Sequence, residues 1–309
     1  MNSWIGRREP QRLLLRTRAK VNAWLHVLPR RHDEPLHEIE SLFLPLVYGD
    51  DLIIQATPSD EPAFRLSSNR MDLLVNNSVE AAWQAFMNTL SHDARRLQWT
   101  IAAHLQKNIP ERTGLGAGSG DAASMLLALN QLYERPLDEA QLLAVAGRLG
   151  SDVPFFIQHK CSIVQGTGQI VVPIPALPPL WCCLALPAFR TSTRAAYAAL
   201  DEAMALQGTP ATDPTVSLDS AIAALQTLSV LPAHESQRLN SFEAVLGGDR
   251  PVFLEIRRVL LASGALLSGL SGSGSAIFGI YAERAAAEAA ALILQTRQNV
   301  QQTFVAKIG

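Results

Sequence analysis

Cysteine is scarce in this 309-residue chain: three occur, at positions 161, 182 and 183. Two of them are adjacent and cannot easily bridge each other, and no Cys-x-x-Cys pair exists. That argues against a structural zinc site and for a reducing, cytoplasmic setting. An excess of charge of either sign is also missing. The net charge is −2, so nothing in bulk draws the chain to nucleic acid or to a membrane surface. No uninterrupted apolar run approaches the ~18 residues of a membrane-spanning helix. The first twenty residues carry five arginines but only short apolar runs, so they lack the hydrophobic core of a signal peptide. Internal repeats and acidic or basic tails are absent.

What remains is an ordinary globular composition, 48% hydrophobic and 17% charged, ample for a packed core and for two domains. Its most informative stretch is Pro110–Asn130, PERTGLGAGSGDAASMLLALN. Gly114, Gly116, Gly118 and Gly120 alternate with Leu115, Ala117 and Ser119. Ala122, Met125, Leu126, Leu129 and Leu132 then follow at helical spacing. A glycine-rich loop entering a helix N-terminus points free N–H groups at one spot, where the helix dipole also favours an anion. This is the physics of a phosphate cradle; the alternative is a flexible loop before a core helix. No Lys-Ser/Thr follows the glycines, which excludes a Walker-type loop. The loop also lies a third of the way along the chain, with Asp138 and Glu139 in a helical stretch, which does not suit a Rossmann fingerprint.

Elsewhere, residues 1–12 read as a loose polar tail. Strand patterning covers 23–27, with Lys20 and Asn22 on one face; they orient a substrate or form a solvated strand edge. Pro29–Leu36 is a charged turn. Strands at 37–46 and 52–56 then complete an antiparallel meander over 20–56, turning at Gly49-Asp50. Residues 58–69 read as loop, 73–90 as helix, 99–105 as strand and 138–149 as helix. Ser151–Ile157 is expected to be a turn or strand start because Pro154 cannot donate to a ladder. Asp152 there is either held near the interior for chemistry or serves the turn itself. Strands flank Gly166-Thr167-Gly168. The proline-rich stretch 173–180 is the candidate inter-domain connection. Beyond it, LWCCLALP reads as a strand that buries Cys182 and Cys183. Helices are expected over 193–207, 215–228, 249–262 and 283–298, and strands over 265–269, 276–281 and 303–308, the pattern of a small α+β sandwich.

Three segments, AKVN (19–22), TGLGAGSGDAA (113–123) and SGSGSAIFG (271–279), resemble in order and spacing the three motifs of the GHMP kinases. AKVNAWLHVLPRR (19–31), HEIESLFLPL (37–46), LGSDVPFFI (149–157), QGTGQIVVPIP (165–175) and RTSTRAAY (190–197) narrow the resemblance to the diphosphocytidyl-methylerythritol kinases. It spans nearly the whole chain. It implies an α+β, two-domain GHMP kinase fold, with an N-terminal α/β ATP-binding domain over 1–178 and a C-terminal α+β sandwich over 179–309. It implies ATP-dependent phosphorylation of the 2-hydroxyl of a cytidine-diphosphate-linked methylerythritol, on the non-mevalonate route to isoprenoid precursors, by a monomer or homodimer. Lys20 and Asp152 match the catalytic pair. Lys107, Pro110, Gly114, Leu115, Gly116, Ala117, Gly118, Ser119 and Gly120 match the ATP side, and Asn22, His37 and Thr193 the acceptor side. Mg²⁺ would come with the ATP, on phosphate oxygens and water. An Asp can take the hydroxyl proton while a nearby Lys keeps it ionised and offsets developing charge.

The sequence departs from that pattern in four places. Asp33-Glu34-Pro35-Leu36-His37 replaces an Asp-Gly-Tyr-His run, so Leu36 stands where an aromatic would stack on cytosine, a term of about 1–3 kcal/mol by analogy with base stacking. Asp72 stands for an adenine-side Asn, Asn240-Ser241 for Asn-Asp, and Gly120 for a small Ala or Ser. Two other readings are therefore carried: a kinase of the same superfamily for another small alcohol, and a paralogue that binds nucleotide without turnover.

Overall fold

A computed structural model describes residues 9–30, 36–91, 98–207, 211–231 and 236–309. Most of the expected charged turn, 31–35, lies outside them. The elements in chain order are β1 (Gln11–Arg16), β2 (Ala19–Val27), β3 (Ile39–Leu46), β4 (Asp51–Pro58), β5 (Ala63–Ser68), α1 (Ser78–Thr89), β6 (Trp99–Gln106), α2 (Ala117–Leu132), α3 (Glu139–Leu149) and α4 (Val153–Gln158). Then come β7 (Ser162–Gly166), β8 (Ile170–Pro173), β9 (Leu180–Pro187), α5 (Thr193–Gln207), α6 (Leu218–Thr227), α7 (Arg250–Ala262), β10 (Leu267–Leu270), β11 (Ile277–Tyr281), α8 (Arg284–Gln295) and β12 (Val300–Ile308). The chain forms two compact units interleaved in sequence.

The first unit comprises residues 1–18, 49–110 and 117–158. Its sheet runs β1-β4-β6-β5, with four helices, α1 to α4. Asn77 starts α1 by accepting the Val79 N–H, a side-chain cap that satisfies one orphan donor. Val79, Ala82 and Phe86 then form its buried stripe. Asp138 and Gln141 exchange side-chain and backbone bonds in a capping box at the start of α3, as a short helix in water requires. Helix α2 is buried nearly all round, from Ala122 and Ala123 to Leu129 and Asn130, so it is the unit's core rod rather than an amphipathic surface helix.

Several expectations for this unit are corrected. Residues 11 and 12, expected in the tail, open strand β1 (Gln11–Arg16). β4 does not continue a meander: it pairs antiparallel with β1, Gln11↔Ala56 to Arg16↔Asp51, and with β6. Gly49-Asp50 is the reason. Asp50 is fully buried, and the Gly49 α-carbon lies so close to the Thr17 carbonyl that a β-carbon would fall 2.1 Å from it. The pair marks a buried crossing of chains rather than a solvent turn. The expected loop at 58–69 contains β5, parallel to β6 with Ala63↔Thr100 to Ser68↔Leu105. Helix α1 begins at Ser78, later than expected. Val153–Gln158 is helical, because Pro154 sits in the first turn where its missing N–H would have no partner.

The second unit comprises residues 19–48, 111–116 and 159–309. Its eight strands run β10-β11-β9-β12-β3-β7-β8, with β2 paired to β3. The proline-rich stretch joins β8 to β9 within this one sheet. Cys182 and Cys183 are buried in β9 as expected, and burial pushes the Cys183 thiol up to about 12. Leu260, Tyr281, Ala287, Ala290 and Leu294 bring α7 and α8 onto the sheet. At one edge of this core the Glu243 carboxylate is sealed from solvent. It accepts the Leu270 N–H at 3.0 Å and the Leu239 N–H at 3.4 Å.

Burial raises the Glu243 carboxyl from an ordinary 4.5 to about 7, with Arg257 and the two backbone amides opposing. The folded protein therefore holds a proton here that the unfolded chain has released between those values. Stability from this group is full below about 4.5 and is lost as pH rises through about 7. Glu243→Gln keeps the size and removes the titration. In urea titrations, the unfolding free energy of the wild type minus that of the variant is expected to fall between about pH 5 and about pH 8. A flat or rising difference would contradict it.

Candidate active site

In the second unit, strand β2 delivers Lys20 and Asn22 to the same face, as their alternation with Val21 and Ala23 requires. Both are buried. The Lys20 ammonium donates to Asn22 Oδ1 at 2.5 Å and to the Gly114 carbonyl at 3.1 Å, and lies 4.6 Å from the centre of the Phe43 ring. Asn22 is fixed in turn: its Nδ2 donates to Ser41 Oγ at 3.0 Å. Glycine-loop residues 111–116 are tied down from two sides. The Lys20 N–H donates to the Leu115 carbonyl and the Ala276 N–H to the Thr113 carbonyl. The Ser271 hydroxyl accepts the Asn22 N–H and donates to the Gly114 carbonyl at 3.0 Å.

Gly114 has φ +77°, and a β-carbon there would lie 2.0 Å from the Ser271 carbonyl oxygen. Only glycine meets both conditions. The second glycine motif, at 271–274, is thus pressed against the crest of the glycine loop, and it is itself held by Asn240, whose Nδ2 donates to the Leu270 and Gly272 carbonyls, each at 2.8 Å. Thr193, at the start of α5, shares a hydrogen bond of 3.0 Å with Ser273 of that motif.

His37 sits apart from Lys20 along the same chain segment. Its Nε2 lies 2.7 Å from Asp201 Oδ1, and its ring packs against Tyr197, with centroids 4.9 Å apart and planes tilted by 32°. The reading of the sequence missed Tyr197 and Asp201. Their spacing of four on a helix otherwise rich in alanine was the available signal. Leu36 is 59% exposed.

In the first unit, Ala117, Gly118, Ser119 and Gly120 form the first turn of α2. Gly120 is buried, and a β-carbon on it would lie 1.9 Å from the Arg18 carbonyl oxygen. Gly118 is exposed and a β-carbon there would meet only the Ser78 hydroxyl at 3.8 Å. Pro110 precedes the crest, half-buried. Lys107 does not stand as an isolated cation. Its ammonium pairs with Asp50 and, at 2.9 Å, with Asp121. Burial raises the Asp121 carboxyl, Lys107 pulls it down and Asp50 adds to the rise. Asp152 lies half-buried in the turn between α3 and α4. Among the described residues no three His, Cys, Asp or Glu side chains gather into a metal cluster, and no helix is long and apolar enough to cross a membrane.

A glycine loop opening a core helix, a buried lysine donating to its crest and a second glycine motif bracing it describe a GHMP-type small-molecule kinase. Family profiles agree: the GHMP kinases N terminal domain matches residues 77–160 and the GHMP kinases C terminal domain residues 222–300. A 4-diphosphocytidyl-2-C-methyl-D-erythritol kinase of Pelobacter propionicus is 34% identical over 90% of this chain and 92% of its own length. One of Rhizobium johnstonii is 35% identical over 90% and 87%. A crystal structure of 4-(cytidine 5'-diphospho)-2C-methyl-D-erythritol kinase superposes with TM-score 0.76 at 30% identity, covering 96% of this chain and 99% of that one. Homoserine kinase from Cytophaga hutchinsonii, at TM-score 0.65 and 15% identity over 100% of this chain and 98% of its own, shares the fold. The chain belongs to the 4-diphosphocytidyl-2-C-methyl-D-erythritol kinase family.

Substituting the two glycines of the α2 turn separates sterics from propensity. Gly120→Ala has to displace the Arg18 peptide and should cost about 1–3 kcal/mol of stability. Gly118→Ala faces open space and should be neutral or stabilising by up to about 1 kcal/mol, the helix preference of alanine over glycine. Thermal unfolding of both variants checks this; equal midpoints would refute the close approach at Gly120.

Proposed function

We propose that the chain transfers the γ-phosphoryl group of ATP to the 2-hydroxyl of 4-diphosphocytidyl-2-C-methyl-D-erythritol, as a cytoplasmic enzyme of isoprenoid precursor synthesis. Family membership along most of the chain supports a small-molecule kinase. The observation that carries the assignment of parts is the buried Lys20 ammonium anchored to the Gly114 carbonyl, which fixes a cation at the crest of the glycine loop.

In this reading residues 114–120 receive the triphosphate on backbone N–H groups and on the N-terminus of α2. Mg²⁺ enters as part of the substrate, on phosphate oxygens and water. Phosphoryl transfer asks the protein mainly for alignment and for charge where negative charge develops. Lys20 supplies that charge. Its bonds to Asn22 and Gly114 hold the ammonium in place before substrate arrives, so no reorganisation is needed during the reaction. Asn22, locked by Ser41, orients the acceptor. Asp152 takes the proton of the attacking hydroxyl. His37 and Thr193 serve the acceptor side. Tyr197, stacked on His37, offers the cytosine an aromatic face that Leu36 does not.

The direct test is ADP release from purified protein with Mg-ATP and the cytidylated substrate. Fast, substrate-dependent release is the expected result. Release only with other small alcohols would mean that the acceptor side, where Leu36 replaces an aromatic, has changed clientele. ATP binding without release for any alcohol would make the protein a nucleotide-binding paralogue. Asp152→Asn should lower kcat by about 10²–10⁴ while leaving the Kd for ATP within about threefold. Retention of most of the rate would remove Asp152 from the role of base.

A further inference from the structure

The Lys107 ammonium is almost wholly enclosed, its side chain 7% exposed beside Asp50 at 0% and Asp121 at 1%. The bonds around these three link segments far apart in sequence. Asp121, in the second turn of α2, accepts from the Thr17 hydroxyl at 2.8 Å and from Lys107 at 2.9 Å. Asp50 accepts the N–H groups of Asn108 at 2.6 Å and Ile109 at 2.9 Å on Oδ1, and Lys107 on Oδ2. The Thr17 hydroxyl in turn accepts the Asp50 N–H at 3.0 Å. The chain segment entering the glycine loop, 107–109, and the helix leaving it, at 121, are therefore tied to one buried cluster at the crossing of residues 17 and 50. Asn69 adds a second tie on the entering side. Its Oδ1 accepts the Lys107 N–H at 2.8 Å and its Nδ2 donates to the Lys107 carbonyl at 3.2 Å.

We propose that Asp50, Lys107 and Asp121 form an ionic clasp that closes the two ends of the glycine loop, so that Lys107 is a positioning residue acting through Asp121 and Asp50 rather than a phosphate ligand. The inference rests on the reading of 114–120 as the ATP phosphate loop. Both carboxylates already lie on the ammonium, and a side chain held by two buried anions has no reason to leave them for a third. Loop closure explains why so costly a cluster is kept. Ordering a loop takes conformational entropy, and a loop whose ends are fixed before ATP arrives does not have to be ordered by ATP.

The energetics of buried charges supply a test. Removing one member strands the others without a partner, whereas removing all charges together leaves a neutral cluster of similar shape. Lys107→Met should therefore raise KM for ATP by about tenfold or more, and the triple variant Asp50→Asn/Lys107→Met/Asp121→Asn should bring it back to within about threefold of the wild type, with kcat altered less than KM in both. A folded triple variant that stays as poor as the single one overturns the clasp and makes Lys107 a direct phosphate ligand. A second measurement needs no variant that might fail to fold. The chain has four lysines, 20, 107, 160 and 307, so the NMR signals of nitrogen-15-labelled lysine side chains are few enough to follow singly. Saturation of the wild type with a non-hydrolysable ATP analogue and Mg²⁺ should move the Lys20 signal and leave that of Lys107 in place. A Lys107 shift as large as that of Lys20 overturns the proposal. A wild type that binds no ATP analogue at all sinks the kinase reading itself, an outcome distinct from a wild type that binds while the triple variant does not.

Discussion

Two peptide carbonyls, those of Arg18 and Ser271, occupy positions where the β-carbon of any residue other than glycine would stand. Each belongs to a different compact unit, and each is met by its own glycine: Arg18 by Gly120, Ser271 by Gly114. These contacts bring backbone to backbone at distances that side chains forbid, and they determine where the two halves of the glycine-rich stretch can lie. Glycine is thus required at 114 and 120 because it lets the surrounding chain press in from behind.

Polar contacts, more than apolar packing, hold these segments. An apolar core tolerates repacking with modest losses. A buried donor or acceptor left without a partner loses its full hydration, about 1–3 kcal/mol. Around Ser271 the bonds form a closed set: Asn22 to Ser271, Ser271 to Gly114, Lys20 to Gly114, and Asn240 to the carbonyls on either side of Ser271. Shifting any member orphans another, so the set has few alternative arrangements. That rigidity leaves the Lys20 ammonium little freedom to move.

The glycine loop, the helix after it and the strand carrying Lys20 and Asn22 were readable because their signals are local. Glycine alternation, helical spacing of Met125, Leu126 and Leu129, and strand alternation all lie within a few residues of each other. The assignment of β4 to a sheet with β1 was not readable, since Gly49-Asp50 has the composition of a surface turn and only its burial shows otherwise. β5 was missed because six residues beside Pro62, paired in parallel with a later strand, carry no local mark. The partners of Lys107 lie 57 and 14 residues away in sequence, and Asp201 lies 164 residues from His37. Contacts of that span exist only once the chain has folded. Local patterns in the sequence were therefore easier to read than the long-range partners that hold these residues in position.

The place of β12 bears on how this protein is made. Strand β12 lies between β9 and β3 in the eight-stranded sheet, pairing along Leu180–Pro187 of β9 and placing Ile308 opposite Leu46 of β3. A ribosome adding about 5–20 residues per second exposes β9 well before β12 exists. Until then the β9 edge that β12 covers, Leu180–Pro187, is unpaired, the kind of surface that other chains can join. Pairing across nearly the whole length of the chain is also slow to form. The nascent kinase therefore carries an open β9 edge until β12 emerges, and only then can the sheet be completed.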